Sequence, residues 1–131
     1  MDARSVGLGL LTLVLWCVVV AHACGADVSS WELRTDDTEI RLAVVDDRPV
    51  VQRLGAVGSP QNWIAAPAAG PLLAKVWIDG REVPLAWKFR DGTLDKGTSQ
   101  LTLVFSNDDP RLLLRSIWRA RPGRGPIEHR M

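Results

Sequence analysis

The chain has 131 residues, 24% of them charged, and a formal net charge of +1. That balance gives no sign of a nucleic-acid surface or an acidic partner, and no repeat, heptad or low-complexity tract suggests a solenoid, a coiled coil or a disordered linker. Once a leader is set aside, about 105 residues remain, enough for one core and too few for a catalytic barrel or a doubly wound sheet with a second domain.

The leader comes first. Arg4 supplies a positive start, residues 6–20 are almost continuously apolar, and Ala21-His22-Ala23 offers the small-x-small pattern that a signal peptidase cuts after. An uncleaved anchor is the alternative, but the run falls short of the roughly 20 residues that a spanning helix needs. The expected organisation is a signal-peptide helix over 1–23, a short linker over 24–30 and a single domain over 31–131, in an exported protein of the periplasm or the extracellular space. Cys24 follows the cut directly, where lipidation would tether the chain to a membrane, although Ala21 stands where a lipobox carries Leu. An ordinary cut at Ala23 or Ala26 is the other reading. Cys17 leaves with the leader, so no internal disulfide is expected.

Short strands then follow one another. Trp31-Glu32-Leu33-Arg34 and residues 39–45 alternate apolar with polar around Thr35-Asp36-Asp37-Thr38, which predicts a hairpin. Residues 50–54 form a third strand, entered through Pro49, which cannot donate to a ladder. From Gly55 to Pro71 turn formers predominate, and a long loop is expected around Gln61-Asn62-Trp63-Ile64. Residues 72–78 and 82–89 flank Asp79-Gly80 as a second hairpin. Asp91-Gly92 and Lys96-Gly97 punctuate the next turn, after which residues 100–105 and 112–120 supply two more strands. About seven strands with no convincing amphipathic helix give an all-β fold, a two-sheet antiparallel β-sandwich. The closing run, residues 123–131, has no stop-like tail and reads as the interior of a larger protein, so the sandwich is expected to be incomplete at that end.

Chemistry-bearing clusters are few. Asp46-Asp47 and Asp108-Asp109 could pair as acid and base, but each lies by a proline in a turn, and neighbours on an extended segment point to opposite faces. His129 beside Glu128 lacks a second imidazole for a zinc site, because His22 belongs to the leader. The Gly123-Arg124-Gly125 stretch lacks the Lys-Ser/Thr and the helix of a phosphate loop. No metal or other cofactor is expected. Trp31, Trp77, Trp87 and Trp118 sit in strand patterns and are expected to pack in the core or on a sheet face. Trp63 differs, because it lies in a loop beside Asn62. A ring and an amide are a pairing used by sugar sites, so Asn62 and Trp63 are the candidate substrate-binding residues, with anchoring of the loop as the other role.

The Trp-x-Leu-x-Thr-Asp opening at 31–36, the turn and strand at 46–51, Asn62-Trp63-Ile64, Ile78-Asp79-Gly80 and above all Arg119-Ala120-Arg121-Pro122-Gly123-Arg124-Gly125-Pro126-Ile127-Glu128-His129 carry a resemblance. Together they resemble the amino-terminal β-sandwich of bacterial α-galactosidases of glycoside hydrolase family 36. The resemblance implies a parent enzyme with a (β/α)8 barrel after the sandwich and a small β-domain after that, which hydrolyses terminal α-galactosides with retention. Retention needs two carboxyl groups roughly 5 to 5.5 Å apart. In this family both belong to the barrel, and no residue here matches their motifs, so the sandwich alone is expected to be inactive. Its implied partners are the barrel, the α-galactoside and, because sandwich loops can approach a neighbouring subunit's site, further copies in a homo-oligomer. The alternative is a stand-alone exported module that binds carbohydrate or protein.

Overall fold

Alternation of apolar and polar residues builds the first sheet. In the computed structural model, which describes residues 29–70 and 72–131, β1 (Ser30–Arg34), β2 (Thr38–Val45), β3 (Arg48–Ala56) and the two-residue β4 (Ala68–Ala69) pair in that order, all antiparallel. The leader, its cut and Cys24 lie outside the described residues. Trp31 and Leu33, then Ile40, Leu42 and Val44, turn to one face and pack in the core. The link between β2 and β3 is a tight turn in which Asp46 and Asp47 both have positive φ, 48° and 60°, the conformation that suits a two-residue hairpin. A bulge at Gln52, opposite Arg41 and Leu42, shifts the register, so that Val51 and Leu54 both reach the core.

The second large sheet has the order β10-β9-β8-β7, formed by β7 (Lys88–Asp95), β8 (Gln100–Asn107), β9 (Leu112–Ala120) and β10 (Ile127–Arg130). Its inward residues Leu101, Leu103, Phe105 and Ala120 meet those of the first sheet, and the two antiparallel sheets form the expected sandwich. Between them in sequence, β5 (Lys75–Ile78) and β6 (Arg81–Pro84) make a separate two-stranded sheet around Asp79 and Gly80, both at positive φ.

Several expectations are corrected. The described residues hold ten strands, not about seven, and a small two-stranded sheet accompanies the two sheets of the sandwich. Asp91-Gly92 is not a turn. It lies inside β7, just past a bulge at Arg90, where the absence of a side chain on Gly92 lets the Trp31 ring lie against the backbone. The strand expected over 82–89 breaks at residues 85–87, where Ala86 N donates to Asn107 Oδ1. Residues 127–130, to which the sequence pattern assigns no element, form β10. Trp77, expected to pack, is 66% exposed because its strand belongs to the small hairpin and not to the sandwich.

Candidate functional site

The loop after β3 is built from backbone upward. Gly55 permits a close approach of the returning chain, since a Cβ there would stand 2.7 Å from the Gln61 carbonyl oxygen. Arg53 donates to the Ser59 carbonyl and holds Glu39 at 2.7 Å. Asn62 then fastens the loop to the strand: its Oδ1 accepts from Leu54 N at 3.1 Å and from Ile64 N at 3.3 Å, and its Nδ2 donates to the Gln52 carbonyl at 3.4 Å. Trp63 N donates to the Leu54 carbonyl at 2.8 Å. The Trp63 ring remains 55% exposed. The two candidate residues are thus neighbours with different work: the Asn62 amide is spent on the backbone, and the ring of Trp63 faces outward from a fixed mount.

A second constellation joins residues of two strands. Ser116 on β9 is 1% exposed, and its Oγ lies 2.9 Å from His129 Nε2 on β10. Trp118 Nε1 donates to the same oxygen at 3.1 Å, and the Trp118 and His129 rings stack with centroids 4.0 Å apart. An indole N–H can only donate, so the oxygen accepts from it and the hydroxyl hydrogen is free for Nε2 of a neutral imidazole. Burial lowers the pKa of His129 and favours that neutral form. The trio borders an apolar cleft of ≈260 Å³ between the sheets, with Leu42, Pro49, Val51 and Leu72 opposite. A serine beside a histidine suggests a nucleophile. Here the oxygen is buried, it receives an N–H bond that weakens it, and among the described residues no carboxylate hydrogen-bonds to the histidine. Its work is to pin β10 to β9.

The acidic pairs hold turns. Asp47 Oδ1 accepts from Phe89 N at 2.8 Å, and Asp108 pairs with Lys88 at 2.7 Å and with Arg90 at 3.5 Å. Asp37 accepts from Gly125 N and from the hydroxyls of Thr35 and Thr38, tying the β1–β2 turn to the loop before β10. The bond from Gly125 chiefly holds its carboxyl below the usual range. Hydrogen bonds from Lys88 and from Thr98 do the same for Asp108 and Asp95. No group of three metal-ligating side chains occurs among the described residues.

These shifts give an acid profile in two stages. The folded His129 resists protonation, so the unfolded chain takes the proton first as pH falls below its ordinary 6.5, and stability declines until the folded ring also titrates. The carboxylates act lower, their stabilisation being lost as pH falls through their depressed folded values. Urea unfolding across a pH series is expected to show both stages in the native chain, and only the lower one in His129→Gln.

Comparison with models of protein families, with curated proteins and with solved structures found no match.

Proposed function

We propose that this chain is the non-catalytic β-sandwich of an exported α-galactosidase, and that it meets the galactoside through Trp63. The observation that carries this reading is the mounting of that ring: Asn62 fixes the loop with three hydrogen bonds while the indole stays 55% exposed. A rigid, flat apolar surface is suited to the C–H face of a sugar ring and loses little entropy on binding. The sugar class comes from the resemblance of residues 31–36, 62–64 and 119–129 to family 36. Asn62 becomes a positioning residue and Trp63 the contact. Catalysis belongs to the barrel, and this chain alone releases no galactose.

The β5–β6 hairpin favours a second contact, with the barrel itself. Trp77 and Ile78 are 66% and 42% exposed there, and large apolar groups on an element outside the sandwich suit a protein surface.

The test is an NMR titration with methyl α-galactoside, following the indole N–H signals. Weak binding is expected, with the Trp63 signal moving most. Trp63→Ala should abolish the response while changing stability by no more than about 0.5 kcal/mol, whereas Asn62→Ala should lower stability by about 1–2 kcal/mol and weaken binding as the mount loosens. An unmoved Trp63 signal at saturating sugar would overturn the reading.

A further inference from the structure

The near-neutral total hides a difference in how the charges of the two outer faces are paired. On the first sheet Glu32, Arg34, Glu39, Arg41 and Arg53 satisfy one another: Arg34 lies 3.7 Å from Glu32 and 3.5 Å from Glu39, Arg41 3.3 Å from Glu32, and Arg53 2.7 Å from Glu39. On the second sheet the outward positions of β9 and β10 carry Arg115, Arg119, Glu128 and Arg130. Arg121 takes Glu128 at 2.8 Å. Arg115, Arg119 and Arg130 make no ion pair among the described residues.

Register brings these groups together. Gln100, Arg119 and Glu128 stand in one row across β8, β9 and β10, and Ile117 with Arg130 in the next. With Arg121 they line a cleft of ≈350 Å³, within the range of small-molecule sites. We infer that this cleft binds the acidic end of a uronate-bearing saccharide. Two guanidinium groups without carboxylate partners offer planar, bidentate recognition of a carboxylate. Glu128, held in place by Arg121, accepts from sugar hydroxyls, the Gln100 amide both donates and accepts, and Ile117 lies beneath as an apolar floor. The mixed lining is what selects this class. Bare phosphate or sulfate, or a polyanionic surface, would use the arginines alone and meet Glu128 as a repulsive charge. The site lies on the opposite sheet from Trp63 and is independent of the galactoside reading.

Calorimetric titration with a galacturonic acid trimer tests it. The trimer is expected to bind, and added salt to weaken it. Arg130→Ser should remove binding, and Arg119→Lys, which keeps the charge and loses the planar fork, should weaken it about tenfold. The neutral galactose trimer should not bind, inorganic sulfate and anionic phospholipid vesicles should not compete, and Trp63→Ala should bind the acidic trimer as well as the native chain does. All three side chains are exposed, so melting temperatures should be unchanged and a loss of binding not a loss of fold. Unaltered affinity in both arginine variants, or equal binding of sulfate or of vesicles, would sink the inference.

Discussion

Gly92→Ala is expected to destabilise the fold by about 3 kcal/mol, at the upper end of what overpacking a filled core costs. The added Cβ would stand 2.3 Å from Cζ2 and 2.6 Å from Cη2 of Trp31, distances that no side chain tolerates. The ring has little room to retreat, because the edge of Phe89 meets it with centroids 6.2 Å apart, and Phe89 rests on the buried Phe105. Trp31 belongs to the first sheet and Gly92 to the second, so relief of the clash means separating the sheets. For a domain of this size the loss corresponds to a fall in melting temperature of roughly 12–24 °C. Thermal unfolding of Gly92→Ala checks the direction, and the double variant Gly92→Ala with Trp31→Leu should recover part of the loss, because a shorter side chain vacates the contested space. A single variant that melts within a degree or two of the native chain would mean that Trp31 does not lie on Gly92.

Phe105→Ala is expected to cost about 3–5 kcal/mol, the sum of lost transfer energy and the cavity left behind. Phe105 is fully buried on the interior strand β8, paired across to Leu114 on β9 and packed against Phe89 with centroids 5.6 Å apart. A domain of this kind has only about 5–15 kcal/mol of stability to lose, so the variant should give up a large share of it. Leu113→Ala is the matched control: it lies one strand away on β9, yet it is 69% exposed on the outer face and should change stability by no more than about 0.5 kcal/mol. Urea titrations of the two should separate widely. Similar midpoints would contradict the assignment of inner and outer faces on the second sheet.

The legibility of individual elements follows from how local their causes are. Trp31-Glu32-Leu33, the run from Ile40 to Val44 and the Asp79-Gly80 turn announced themselves, because pleat alternation and positive-φ turn residues act within a few positions. β7 did not. Its Asp91-Gly92 reads as a turn, and only the ladder with β8 and the Trp31 ring make it a strand. Trp77 alternates as well as Trp31 does, but alternation cannot say which sheet a strand joins, and Trp77 stands in the solvent on the small hairpin. The loop site was half legible. Asn62 and Trp63 stood out as an amide beside a ring, while the engagement of that amide with Gln52, Leu54 and Ile64 depends on how the loop returns to β3. Ser116 occupies an inward phase in the alternation of Leu112, Leu114, Ser116 and Trp118, and that was its one signal, since His129 meets it from another strand.

What the residues determine by themselves is the all-β class, the phase of most strands and the positions of the tight turns, because each depends on neighbours one to four residues apart. The tertiary structure alone decides that Trp31 lies over Gly92, that Ser116 and Trp118 hold His129, that the second hairpin forms a sheet of its own, and that three arginines gather on one outer face with no ion pair among the described residues. These outcomes rest on sheet order, on register and on the packing of one face against another. Such interactions are non-local: the same alternating strand is stable wherever its apolar side is covered, and only the partner that covers it fixes what its polar side can meet.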